Sequence, residues 1–223
     1  MADFRTEYQK VYENIREAIL AGYFKTGDKL PQRKLAEKYN AATITVREAL
    51  RTLESDGLIV IEPKWGAMVT EMTPEKIQGR YIVRAALEGM AARLAAKKIN
   101  ENSKEELLRL AKRCDRELVG NKLNRNEKAN LHYHLHKTIV EITGCNELIR
   151  SINRINLQAI IFSNAYHIDW SHDDPERHNK LVQSIFSKNP DLAEKVMRIH
   201  VEDGYKMELK ALDKYMTIPP LDC

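Results

Sequence analysis

The chain has 223 residues, 43% hydrophobic and 30% charged, which is long enough for two ordinary domains and has the balance of a globular protein in water. Its three cysteines, Cys114, Cys145 and Cys223, are odd in number and far apart, which excludes a disulfide framework or a paired-cysteine zinc site. A formal charge of +4 permits nucleic-acid binding without requiring it; with no apolar leader and no run of about 18 apolar residues, the expected setting is the cytoplasm.

In residues 8–21, Val11, Ile15, Ala18 and Ile19 recur at helical spacing, and Gly22 is suited to stop the helix. A turn is expected around Gly27 and Asp28. A short helix follows over QRKLAEKYN, then a tight break at Asn40-Ala41-Ala42, then a helix over TITVREALRTLES that buries Val46, Leu50 and Leu53 and ends at Gly57. Two short helices joined by three residues form the helix-turn-helix pattern. Between Lys29 and Arg51 six basic residues face only two acids, Glu37 and Glu48, so positive charge is concentrated on this stretch although residues 1–72 are neutral as a whole.

Two β-prone runs, Leu58 to Ile61 and Ala67 to Thr70, flank Pro63-Lys64-Trp65-Gly66 and read as a hairpin, the wing of a winged helix-turn-helix. Thr73-Pro74-Glu75 opens a new helix, with Thr as cap, Pro at the first position and an acid in the first turn, and the domain boundary is placed there. Beyond it the pattern predicts helices over 74–99, 103–119, 126–143, 146–167, 174–188 and 190–215, and a disordered tail over 218–223. The predicted fold is thus mostly α: a winged helix-turn-helix over 1–72 and an all-helical bundle over 73–217.

The segment ILAGYFKTGDKLPQRKLAEKYNAATITVREALRTLESDGLIVIEPKWGAMV resembles the DNA-binding domain of the GntR family. YIVRAALEGMAARLAA, HLHKTIVEITGCNEL and ERHNKLVQSIFSKNPDLAEKVMRIH are similar to the signatures of the FCD ligand-binding domain of its FadR-like branch. The resemblance implies DNA contacts at Arg33, Thr43, Ile44, Thr45 and Arg47 and at the wing residues Lys64 and Gly66. Arginine forks onto phosphate or a guanine edge, and short threonines allow close approach. The family usually has Ser-Arg where this chain has Ala42-Thr43, so its operator is expected to depart from the commonest one. The resemblance also implies a homodimer on a pseudo-palindromic operator and a small organic acid as effector.

No histidine precedes residue 132. His132 and His136 share a helix face at the spacing that lets two imidazoles reach one metal ion. The FCD domains that bind metal join an Asp-x-x-x-His pair to one histidine from each of two later helices. Aligned on Gly144, those positions fall on His136, His178 and His200, with His132 in the place of the aspartate. An all-imidazole site favours zinc first, with nickel or copper ahead of manganese or magnesium. An alternative register pairs Asn130 with His134. Arg84 is a candidate for the effector carboxylate, competing with a pair to Glu88 one turn on; Arg154, Asn156 and Asn164 are further candidate lining residues. Two other readings stay open: an architectural DNA-binding dimer that senses nothing, and a metal-dependent enzyme carrying a DNA-binding accessory.

Overall fold

The structure is a computed structural model, and it describes residues 6–70, 73–120, 122–168, 170 and 174–216. The chain divides into two compact units, Met1–Thr73 and Pro74–Cys223. The tail over 218–223 lies outside the described residues.

The first unit contains α1 (Glu7–Leu20), α2 (Gln32–Tyr39), α3 (Thr43–Ser55) and a hairpin of β1 (Ile59–Glu62) and β2 (Gly66–Val69). Thr6 and Gln9 form a capping box that starts α1. Gly22 and Gly57, each just past a helix end, take left-handed φ values of 77° and 72°, where a side chain would be strained, so the sequence stops these helices where glycine permits it. Asn40 takes the same region at the end of α2. Val11 and Ile15 from α1, Leu35 from α2, and Val46, Leu50 and Leu53 from α3 close a dry core with Leu58, Ile59, Ala67 and Val69 of the hairpin region. A buried polar contact ties the ends together: Tyr12 of α1 donates to Asp56 at 2.6 Å.

The stretch around Gly27 and Asp28 is more than the predicted turn. Gly27 and Leu30 donate to the carbonyls of Val69 and Ala67 at 3.0 and 2.8 Å, and Val69 donates back to Asp28, so residues 27–30 lie along β2 as a short third strand. One free edge of a two-stranded ribbon is thereby paired, which periodicity in so short a segment does not reveal.

The second unit is helical: α4 (Pro74–Lys98), α5 (Glu101–Val119), α6 (Arg125–Ile142), α7 (Asn146–Arg154), α8 (Leu157–His167), α9 (Arg177–Phe186) and α10 (Pro190–Met216). The two longest run antiparallel in close contact. Arg80 pairs with Glu208, Tyr81 packs on Tyr205, and Arg93 pairs with Asp191 at the opposite end. The small buried residues Ala91, Ala92, Ala95 and Ala96 leave room for neighbouring helices to approach α4 closely. α6 packs on α4, α5 and α8, and α9 on α4, α5 and α10.

Two predicted boundaries are corrected. The helix expected over 146–167 is two helices, broken at Asn156, which sits at φ 48° and whose side chain accepts from the Ala159 amide to cap α8. Asparagine tolerates the left-handed region and is a good cap, but without glycine or proline it reads as one more polar helical residue. The helix expected from 174 begins at Arg177, because the Asp174 side chain accepts from the Glu176 amide and its carbonyl from Arg177, closing a turn first.

Candidate nucleic-acid interface and metal centre

In the first unit, α3 buries Val46, Ala49, Leu50 and Leu53 and turns Thr43, Ile44 and Arg47 to solvent, with Thr45 half-buried. Ile44 is 56% exposed, an apolar side chain left in water at the start of a helix. Arg33 is exposed in the first turn of α2, and Arg47 reaches toward Gln32 at 3.4 Å. Neither helix has a side-chain cap, since Pro31 and Ala42 occupy those positions. Their first-turn amides are therefore left to an outside acceptor. At the hairpin tip Lys64, Trp65 and Gly66 are all exposed, and Lys29 lies 4.9 Å from the Trp65 ring. Gly66 has φ 80° with nothing within 4 Å of a built Cβ, so conformation rather than space requires glycine there. All seven residues singled out in the sequence thus come to the surface of this unit.

In the second unit, His132, His136, His178 and His200 are all buried and arrive from α6, α9 and α10. The Nε2 atoms of His136 and His132 are 3.0 Å apart, and those of His200 and His136 are 3.2 Å apart. The His178 ring centre is 5.0 Å from that of His132 and 5.1 Å from that of His200, and its Nε2 is buried without a hydrogen-bond partner among the described residues. Burial first, then the charges of neighbouring groups, pushes His132 and His200 well below the usual histidine range; burial also lowers His178 although Asp115 opposes it. These imidazoles are neutral at pH 7, the form that offers a lone pair.

The Nδ1 atoms show which lone pairs are aimed inward. His178 Nδ1 lies 2.7 Å from a carboxylate oxygen of Asp115 on α5, and His136 Nδ1 bonds Glu88 on α4. An ionised carboxylate only accepts, so both rings carry their proton on Nδ1 and present Nε2 as a lone pair. Burial alone would raise the Glu88 carboxyl, but Arg84, whose Nε is 2.7 Å away, and His136 hold it down to about 2. Asp115 also accepts from the amides of His178 and Asn179 at 2.8 and 2.9 Å, so it caps α9 while orienting its second residue. His200 differs. Its Nδ1 accepts from Arg177 Nε at 3.2 Å, which leaves the proton on Nε2, directed at the lone pair of His136. An ion held by His200 Nε2 requires that proton to move to Nδ1 and Arg177 to release it.

Residues 7–69 match the family described as bacterial regulatory proteins, gntR family, and residues 80–203 match the FCD domain. The chain belongs to the GntR family, in its FCD-containing branch. It is 25% identical to the HTH-type transcriptional regulator YdhC of Bacillus subtilis, over 90% of this chain and 92% of that protein. It is 27% identical to the Uxu operon regulator of Haemophilus influenzae, over 88% of this chain and 79% of that one. The solved structure of E. coli McbR/YncC has the same fold, with a TM-score of 0.69 at 17% identity, covering 95% of this chain and all of that one. GntR-family members of this kind are DNA-binding regulators of transcription, not enzymes, so the metal-dependent enzyme considered above is set aside.

Some FCD domains bind a metal, and the spacing of His132, His136 and His200 fits one. Imidazole nitrogens about 2.0–2.1 Å from a tetrahedral zinc stand about 3.3 Å from one another, close to the spacings here, and the orphaned His178 Nε2 has the lone pair such an ion would take. His132, His136 and His200 each place a donor atom within 4.8 Å of the others. The alternative register is corrected: Asn130 and His134 are exposed, because they lie on the opposite face of α6 from the core positions Leu135 and Ile139. Arg84 is buried and its one hydrogen bond among the described residues is through Nε to Glu88, so the terminal nitrogens of its fork make none. Of the further lining candidates, Asn156 is the α8 cap, Arg154 is exposed, and Asn164 is buried against the Tyr81 hydroxyl. Glu88 as a support for His136, and Asp115, were not found in the sequence. An acid on a helix is too common to stand out, and the histidine each one holds is 48 and 63 residues away.

Proposed function

We propose that this regulator is a cytoplasmic repressor that binds a pseudo-palindromic operator as a homodimer and is modulated by a small organic acid at a metal site in its helical unit. The observation that carries the reading is the convergence of four buried imidazoles, two of them oriented from outside by carboxylates. Zinc, or nickel, would be held by His132, His136, His178 and His200 and, by expanding beyond four ligands or releasing one imidazole, would supply a Lewis-acidic position for an effector carboxylate. Arg84 holds Glu88 through Nε, and its terminal nitrogens suit a second carboxylate oxygen.

On the reading unit, Arg47 and Arg33 would fork onto guanine edges or phosphates, Ile44 would cover a thymine methyl group, Thr43 and Thr45 would allow close approach, and Lys64 and Gly66 would follow the neighbouring groove. Dimerisation is supported by Ile82, Val83 and Met90 on α4 with Leu192 and Ile199 on α10, large apolar side chains exposed on two helices that pack together. An effector acts by binding one placement of the reading units better than another. No helix among the described residues is long and apolar enough to cross a membrane.

Elemental analysis and gel-shift titration test this together. Purified protein is expected to carry about one zinc or nickel per chain, the double variant His178→Ala with His200→Ala to carry none, and a carboxylate to weaken the operator complex of the first only. An unchanged metal content in the double variant would defeat the site. An operator complex indifferent to every acid would favour the architectural dimer.

A further inference from the structure

Trp170 lies in the connection between α8 and α9, 6% exposed, with its indole Nε1 buried and, among the described residues, without an acceptor. Its ring meets that of His132 edge-on at 5.6 Å, and the Arg177 guanidinium is 5.7 Å from it. His178 Nε2, orphaned among the described residues like the neighbouring Asn179 Oδ1, is a lone pair; the indole nitrogen is a donor and nothing else. A metal ion satisfies the first and cannot satisfy the second. What satisfies both is an ion carrying an oxygen ligand. A buried donor with no partner disfavours the folded state, so it marks a place where an acceptor arrives from outside. The Arg177 guanidinium over the same ring sets a cation beside this donor, where an anionic oxygen would be drawn.

We propose that Trp170 donates its indole N–H to a carboxylate oxygen of the effector held on the metal, making it a specificity-determining residue of the sensing site. This rests on the metal reading given above. Trp170 discriminates ligands because an analogue lacking that oxygen leaves the donor buried and unpaired.

The chain has two tryptophans, so Trp65→Phe leaves Trp170 as the sole indole emitter without touching the helical unit. Zinc-loaded protein, its metal content fixed by elemental analysis, is titrated with acetate, succinate and gluconate by calorimetry and by emission. Trp170→Phe is expected to keep its zinc and its melting temperature and to bind the tightest of these acids about tenfold more weakly. In Trp65→Phe the emission is expected to shift to the red when the acid is added to zinc-loaded protein, and to stay unchanged in zinc-free protein. Equal affinities in wild type and Trp170→Phe, a silent emission, or no binding of any of the acids would overturn the proposal while leaving the metal in place. Failure of the wild type to take up zinc would instead remove the metal reading, and this assignment with it. If Trp170→Phe does not fold, the emission experiment decides alone.

Discussion

The two units place their proposed functional side chains in opposite positions. In the reading unit Arg33, Ile44, Arg47 and Lys64 stand on the surface, outside a core of ordinary aliphatic residues that closes without them. In the sensing unit His132, His136, His178 and His200, with Arg84 and Glu88, are themselves the core. A surface reader is separable from the fold that carries it. A buried sensor is not, because every polar group there must find a partner or destabilise the structure. Ligand in the second unit therefore has direct leverage on packing, which is the requirement for a site whose occupancy has to be felt elsewhere.

The largest test of this contrast is on the carboxylates that orient the histidines. Asp115→Asn and Glu88→Gln keep size and shape but weaken the hold on His178 and His136. Each is expected to reduce metal affinity by about 10–100-fold, measured by competition with a chromogenic chelator. Stability should fall as well. Asp115→Asn removes the anionic cap from the amides of His178 and Asn179, and Glu88→Gln takes from buried Arg84 its paired carboxylate, leaving only the weaker influence of Glu208. If either variant kept wild-type metal affinity, the outer carboxylates would be packing alone and the contrast between the units would weaken.

Arg47→Ala probes the opposite unit and is expected to be smaller in effect and cleaner. Operator affinity should drop about tenfold, within the about 1–3 kcal/mol of a single base or phosphate reader, while melting temperature and dimer content stay unchanged. The Arg47 side chain is exposed and, among the described residues, makes one long contact, to Gln32, so the described core does not depend on it. A fall in melting temperature comparable to that of Asp115→Asn would show the reader to be as structural as the sensor.

Legibility in the sequence follows the same division. Val11 with Ile15, and Val46 with Leu50 and Leu53, mark the inner faces of α1 and α3 by spacing alone, and Gly22, Gly57 and Gly66 mark the ends and the wing because their backbone demands glycine. The exposed side chains proposed to contact DNA sit beside those landmarks. The histidines were legible as a pair on one helix plus a family pattern. Their partners were not: Glu88 and Asp115 come from other helices, and only the fold brings them together. The third strand over 27–30 escaped for the same reason, since its bonds are to Ala67 and Val69 far along the chain.

The smallest predicted effect concerns the break that the sequence hid. In the reading unit four of the five left-handed residues among those described are glycines, whereas in the sensing unit Asn156 and Lys188 share that role with Gly144. Asn156 does two things, taking φ 48° and capping α8 through Ala159, and two substitutions separate them. Asn156→Gly keeps the backbone conformation and loses the side-chain cap, so it should destabilise by a few tenths of a kcal/mol. Asn156→Ala loses the cap and adds left-handed strain, about 1–2 kcal/mol more, seen as a lower chemical-denaturation midpoint at unchanged slope. Equal midpoints for the two variants would mean that α7 and α8 can rejoin as one helix. In that case the break would be set by packing of Leu157 and Ile160 rather than by Asn156. The order wild type, glycine, alanine would place the hinge between the helices in that single residue, and show that a buried sensing unit can be punctuated by asparagine where the exposed reader uses glycine.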